Sequence, residues 1–290
     1  MKPIVLLAAC ALLGGCAAPA VSGSTTPSGG TPLLTAIVTS SDLAAGANHF
    51  GIALLNDKNQ PVAGANVKLT FFDLSGEQPV ALTEATPTWR RPGSEWNRGQ
   101  YKADVSFPRA GPYGVQASVQ DTNGAPPQVA RTRFDVKAAS EAPAVGAQAP
   151  RSHNLTEADN APPIELCTAS EETCRATRDL RQLTIADAID QSKPVVVLFA
   201  TPGFCTSQTC GPQLEVLQSI AERHKGQANF IHVEIFKDPQ ARTVSQTVQE
   251  WNLPSEPWTF VVDGSGRIAD RFDGITAGDE IEQALQRLAS

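Results

Sequence analysis

The stretch PVVVLFATPGFCTSQTCGPQ, residues 194–213, decides the fold of the C-terminal half. Pro194–Ala200 is a β-branched apolar run, the pattern of a central strand buried on both faces. Two cysteines follow, Cys205 and Cys210, and then Gly211-Pro212. Residues 212–224 are amphipathic, with Leu214, Leu217, Ile220 and Ala221 on one face. On a continuous helix, residues five apart rise about 7.5 Å and turn by about 140°, which holds their Cα atoms roughly 8–9 Å apart. A disulfide needs Cα atoms within about 7 Å. For this pair to bond, Thr206–Thr209 must be a loop that folds back, with a helix starting near Gly211-Pro212. A proline in the first helical turn suits that start. Cys210 is then expected at the helix N-terminus, where unpaired N–H groups and the helix dipole favour a thiolate.

Working outward, residues 164–290 alternate helix and strand. Ile185–Gln191 reads as a short helix, 230–236 as a strand and 243–251 as a helix. Two strands, 259–262 and 267–272, flank the hairpin turn Asp263-Gly264-Ser265-Gly266. Residues 277–288 close the chain as a helix with Ile281, Leu285 and Leu288 inward. This order, with Cys210-Gly211-Pro212 after the first strong strand and Ser255-Glu256-Pro257-Trp258 before a later one, resembles the thioredoxin fold. The resemblance spans residues 185–290. It implies that Pro257 is cis and faces the cysteine loop. There are departures: Gln213 stands where the family's second cysteine belongs, and Leu198 where its buried acid would be.

The activity expected from the resemblance is dithiol–disulfide exchange, with Cys210 attacking a partner disulfide, Cys205 resolving it and Pro257 aligning the partner backbone. A permanent Cys205–Cys210 staple in a non-catalytic domain is the alternative, in a protein that binds or scaffolds an envelope partner. A Sco-like copper-delivery protein is a further one, but such proteins space their cysteines by three residues and add a distal histidine, whereas the gap here is four and residues 233–290 hold no His. A peroxiredoxin is rejected because Thr206 and Cys210 miss its spacing by one residue. No cofactor or metal is expected. Cys167 and Cys174 form a second local pair, expected as a structural disulfide worth about 2–2.5 kcal/mol on the chain-entropy estimate. Trp258, beside Pro257, is a candidate for touching a partner.

Residues 33–137 read as all-β. Alternating runs at 35–39, 50–56, 65–73, 101–107, 113–121 and 129–136 are separated by turn signals such as Asn56-Asp57-Lys58-Asn59 and Thr122-Asn123-Gly124. Six or seven short strands in about 100 residues suggest a two-sheet, immunoglobulin-like sandwich. Tyr101, Ala103, Val105 and Phe107 fall on one face, with Lys102, Asp104 and Ser106 on the other. The stretch 60–67, Gln-Pro-Val-Ala-Gly-Ala-Asn-Val, is similar to the strand entry of immunoglobulin-like and FixH/YtkA-like envelope domains. Lacking cysteine, and with His49 a surface or packing residue by default, this domain is expected to space or to bind. Residues 138–163, twelve of 26 Ala or Pro, read as a linker; they include the sequon Asn154-Leu155-Thr156.

At the N-terminus, Met1-Lys2 precedes an apolar stretch over 3–13 and then Gly14-Gly15-Cys16, a secretory signal over 1–15. Leu13-Gly14-Gly15-Cys16 resembles the lipobox of bacterial lipoproteins, which implies lipidation of Cys16. Residues 17–32, fifteen of sixteen of them Ala, Ser, Thr, Gly or Pro, read as a flexible tether of about 20–24 Å, so 16–32 forms the anchor and spacer. The expected location is the cell envelope, lipid-anchored on the extracytoplasmic side, where disulfides persist. Partners are then the thiols or disulfides of envelope proteins. A net charge of −7 over 290 residues argues against nucleic acid, which selects for a basic face.

Overall fold

The computed structural model describes residues 33–289 apart from 94, 95, 97, 121–126, 239 and 241. The expected signal (1–15), lipidated Cys16, tether (16–32) and turn at 122–124 lie outside the described residues. No described helix is long and apolar enough to cross a membrane.

Among the described residues of the first part there are eight strands: β1 (Leu34–Val38), β2 (Gly46–Asn56), β3 (Val67–Asp73), β4 (Val80–Ala85), β5 (Thr88–Arg90), β6 (Gln100–Phe107), β7 (Gly111–Val119) and β8 (Gln128–Val136). They make two four-stranded antiparallel sheets, ordered β1-β2-β6-β5 and β4-β3-β7-β8. Period-two alternation sends one row of each strand into a shared core, including Phe50 and Ile52 of β2, Leu69 and Phe71 of β3 and Phe107 of β6. Phe50, Phe71 and Phe107 meet there with ring centroids 4.9–5.9 Å apart. Strands β4 and β5 escaped the sequence reading because β4 is exposed along nearly its whole length and β5 is three residues long.

The second part comprises α1 (Pro163–Leu166), α2 (Glu171–Ala176), α3 (Ile185–Asp190), β9 (Val195–Ala200), α4 (Cys210–Arg223), β10 (Asn229–Glu234), β11 (Phe236–Asp238), β12 (Thr243–Val244), α5 (Gln246–Glu250), β13 (Trp258–Val262), β14 (Ile268–Asp273) and α6 (Gly278–Ala289). Its main sheet runs β10-β9-β13-β14, with β10 parallel to β9 and the other pairs antiparallel. Every residue of β9 is buried, because its side chains feed two cores. Val195, Val197 and Phe199 pack with Ile185, Trp251 and Phe260 on one face; Val196, Leu198 and Ala200 pack with Leu214, Leu217 and Ile281 on the other. The helix expected over 243–251 is shorter, because a β11–β12 hairpin takes Thr243 and Val244 and Ser245 then caps α5.

Residues 138–163 are not a free spacer. Ala142 and Ala149 are buried in the core beside Ile189 and Ile268. The Gly146 N–H donates to Ile268 O (2.8 Å), the Trp251 Nε1–H to Ser152 Oγ (3.2 Å) and the Ile185 N–H to Asn154 Oδ1 (2.7 Å). That buries Asn154, the sequon asparagine. Small side chains let this segment lie flat on the core, so its Ala/Pro composition reflects close packing.

The two parts share a polar interface. Buried Asp42 accepts from Lys137 Nζ (3.1 Å) and Arg271 Nη1 (3.3 Å). Lys102, expected on a solvent face, is buried: its Nζ lies 3.3 Å from Glu280 and 5.4 Å above the Phe272 ring. His49 stacks on Phe272, its Nδ1 2.6 Å from Asp104 and its Nε2 2.9 Å from Asp270. Burial works against a charged imidazole, but the two carboxylates outweigh it and raise the pKa to about 9. Because the folded pKa lies above the unfolded one, this contribution is complete below pH ~6.5 and is lost as pH rises through about 9. Discounted for a side chain one-third exposed, it is worth roughly 1 kcal/mol, or about 2–4 °C. Thermal melts should fall by that amount between pH 6.5 and 9.5, and His49→Gln should flatten the fall. An unchanged slope would contradict the pairing.

Candidate functional site

The cysteine loop leaves the buried end of β9, and its shape follows from two turns. The Phe204 N–H donates to Thr201 O (3.1 Å) and the Gln208 N–H to Cys205 O (3.3 Å), with Gln208 at φ 61°. The chain therefore folds back between the cysteines, which are both free thiols, and α4 begins at Cys210 itself. Thr209, the residue before the helix, makes no side-chain cap, and the first turn holds no acidic residue. The cap is supplied by sulfur. The Cys205 Sγ accepts from the Cys210 N–H at 3.4 Å and from the Thr209 N–H, and lies 3.2 Å from Ser207 Oγ.

The two thiols are unequal. Cys205 is half-buried and Cys210 fully buried. The Cys210 thiol donates to Cys205, and this bond, with those from Ser207 and the helix N-terminus, outweighs burial and lowers the Cys205 pKa to about 5. The same bond, with burial and the adjacent charge, drives the Cys210 thiol far upward. The geometry thus reverses the sequence expectation. The helix N-terminus serves the upstream sulfur, because Cys210 turns its own side chain into the core with Leu214.

Pro257 follows a cis peptide bond from Glu256, and its carbonyl accepts from the Gly274 N–H (2.9 Å). Glu256 lies against the cysteine loop, accepting from the Thr206 N–H and hydroxyl; burial and the Cys205 charge push its pKa up. Gln213 is fully buried: its Nε2–H donates to Thr276 O (2.9 Å) and its Oε1 accepts from the Thr276 N–H (3.0 Å), tying α4 to the loop before α6. Trp258 is buried, its Nε1–H donating to Ser255 Oγ (3.0 Å) and its ring facing Arg271. It is a core residue, not a partner contact.

Cys167 and Cys174 are disulfide-bonded, with Cα atoms 5.8 Å apart. Thr168, next to this bridge, accepts on its Oγ1 from the Gly203 N–H (3.0 Å), so the bridge lies beside the cysteine loop. Two histidines of the second part are engaged within it: His224 Nε2 lies 3.1 Å from Glu282, and the His232 Nε2–H donates to Ala200 O (3.1 Å). The sequence reading missed Glu256, although it sits inside the quoted motif, and Glu234, a carboxylate at the end of a strand that also carries Asn229 and His232. The first part also reaches the site. Ser41 Oγ lies 2.7 Å from Ser255 Oγ, and the Arg98 Nη1–H donates to Gln208 Oε1 (2.9 Å).

At pH 6 a thiol of pKa about 5 is mostly thiolate, a fraction on the order of 10² above that of an ordinary thiol. Iodoacetamide at pH 6 should therefore label Cys205 rapidly and leave Cys210 unmodified, as mapped by peptide mass spectrometry. Preferential labelling of Cys210 would restore the order expected from sequence.

No curated protein matches the sequence. Solved structures resemble parts of it. A thiol:disulfide interchange protein of the thioredoxin family from Chlorobium tepidum TLS is 13% identical, covering 37% of this chain and 86% of its own, with a TM-score of 0.30. A superoxide reductase (neelaredoxin) from Ignicoccus hospitalis is 10% identical, covering 36% and 78%, with a TM-score of 0.23. MtrC from Shewanella baltica is 14% identical, covering 50% and 25%, with a TM-score of 0.27. A family model described as YtkA-like matches residues 29–118, and the N-terminal β region of the chain is YtkA-like.

Proposed function

We propose that this chain is a thiol–disulfide exchange protein with Cys205 as the attacking thiolate and Cys210 as the resolving thiol. The observation that carries the reading is a half-buried sulfur held at the N-terminus of α4 by two backbone N–H groups, with a buried thiol donating to it. A thiolate so stabilised is both a nucleophile and a good leaving group. Cys205 Sγ attacks one sulfur of a partner disulfide: a new S–S bond forms, the partner's S–S bond breaks, and the released thiolate takes a proton from water. Cys210 then loses its proton and attacks Cys205 Sγ; the Cys205–Cys210 disulfide forms and the second partner thiol leaves. The partner is reduced by two electrons and the pair oxidised, and the same steps run backward oxidise a dithiol.

In this reading residues 164–290 form a thioredoxin-like domain. The strand order β10-β9-β13-β14, the parallel β9–β10 pair joined through α4, and the cis Pro257 before β13 support it. Residues 33–137 form an immunoglobulin-like sandwich, supported by the sheet orders β1-β2-β6-β5 and β4-β3-β7-β8. Pro257 aligns the partner backbone, and Cys167–Cys174 is a structural bridge. The lipobox-like Leu13–Cys16 anchors the chain to a bacterial membrane on its extracytoplasmic side, where partners are envelope proteins with thiols or disulfides.

Trapping tests the assignment. Cys210→Ser should accumulate mixed disulfides through Cys205, seen as reductant-sensitive adducts on non-reducing gels, while Cys205→Ser should accumulate none and lose at least about 10²-fold in exchange rate. Adducts through Cys210 would reverse the roles. With no adducts in either variant, a non-catalytic binding protein is the remaining reading.

A further inference from the structure

The seam between the two parts holds a polar cavity of about 290 Å³, walled chiefly by β5 and β6 of the first part and by β14 and α6 of the second. No residue of the cysteine loop lines it. Lys102 follows Tyr101 on β6 and takes the opposite face of the strand, where a lysine would ordinarily be solvated; here the second part closes that face. Its side chain is 7% exposed, and Nζ lies 5.4 Å above the Phe272 ring. Glu280 Oε1 is 3.3 Å from Nζ, an ion pair without hydrogen-bond geometry, and among the described residues nothing accepts a hydrogen bond from this nitrogen. Glu280 is not free to turn toward it, because Oε2 accepts from the Ala277 N–H (2.8 Å). An ammonium has three N–H donors, and a buried donor left without an acceptor is costly enough to need a reason.

The charges around Lys102 show what is missing. The lining carboxylates are engaged: Asp104 lies 2.6 Å from His49, Asp270 lies 2.9 Å from His49 and 2.6 Å from Arg287, and Glu280 is held as above. His49 is charged at neutral pH, so with Lys102, Arg90 and Arg287 the lining cations exceed the lining carboxylates by one. Asp279, which pairs with Arg90, is half exposed and outside the lining. Thr88 and Gln283 add a hydroxyl and an amide to the walls.

We propose that this cavity binds a small oxyanion, of carboxylate or phosphate chemistry, that accepts a hydrogen bond from Lys102 Nζ. Such a ligand supplies the acceptor the buried nitrogen lacks and balances the excess positive charge, in a place where partial exclusion of water strengthens a charge-assisted bond. The volume sits at the lower end of the roughly 300–1,000 Å³ range of small-molecule sites, which selects a compact ligand. Because the walls come from both parts, the bound anion ties the YtkA-like region to the second domain. The site stands independently of the exchange chemistry.

Calorimetric titration of the full chain at pH 7.5, with inorganic phosphate in one arm and acetate in the other, tests this. At least one probe should bind one-to-one with a Kd of about 1 mM or tighter, a modest affinity for so few atoms. At ten times that Kd the thermal midpoint should rise by about 3–5 °C. Phosphate without acetate assigns a tetrahedral oxyanion, and the reverse a carboxylate. Lys102→Met, which keeps the apolar stem, should weaken binding at least tenfold and abolish the thermal shift. Arg90→Gln, at a partly exposed position, should weaken it at least threefold, and it reads the same site should Lys102→Met fold poorly. Saturable binding by neither probe, or unchanged affinity in the folded variants, overturns the proposal.

Discussion

The first turn of an α-helix leaves backbone N–H groups without intrahelical partners, and in α4 the Cys205 sulfur answers that need. A negative charge on sulfur satisfies those donors and the helix dipole at once, while the Cys210 thiol supplies a further donor from below. The low pKa of one cysteine and the high pKa of the other are two sides of one hydrogen bond. Remove the fold-back at Thr206–Thr209 and the sulfur no longer reaches the helix; remove the helix start at Cys210 and the charge has no counter-dipole.

What holds that arrangement is the burial of β9. Its alternate side chains lock two cores together, so the loop that leaves it at Thr201 starts from a fixed point. Gln213 then fixes the far side of the helix start by pairing both polar atoms with Thr276. Leaving those buried backbone groups unpaired would cost about 1–3 kcal/mol each, which accounts for a glutamine at a site where the resemblance expects a cysteine. The packed segment 138–163 and the charged contacts of His49, Lys102 and Asp42 bring the YtkA-like region against the same domain, with Arg98 and Ser41 touching the two loops that flank the thiols.

Much of this was legible in the sequence where one physical rule dominates. A strand buried on both faces must be apolar throughout, and 195–200 is; the fold-back that a bond between Cys205 and Cys210 would require is present, with both cysteines free. The rest was not legible, for identifiable reasons. Exposed strand β4 lacks the alternation that burial imposes. The Ala/Pro composition of 138–163 suits both a spacer and a flat, closely packed strap, and only tertiary contacts distinguish them. The roles of Cys205 and Cys210 depend on which sulfur points at the helix N-terminus, a matter of side-chain direction that spacing does not encode. Glu234 was visible as the one carboxylate of its strand, but its neighbours Thr168 and Thr201 come from distant segments.

The central claim is that a stabilised Cys205 thiolate makes the Cys205–Cys210 pair a reversible couple, and its reduction potential tests this most directly. Equilibration with glutathione or dithiothreitol buffers, with the Cys167–Cys174 bridge monitored separately, should place the couple above about −300 mV, within the roughly −270 to −120 mV range of exchange proteins. A value below about −300 mV, the range of structural disulfides, would contradict it.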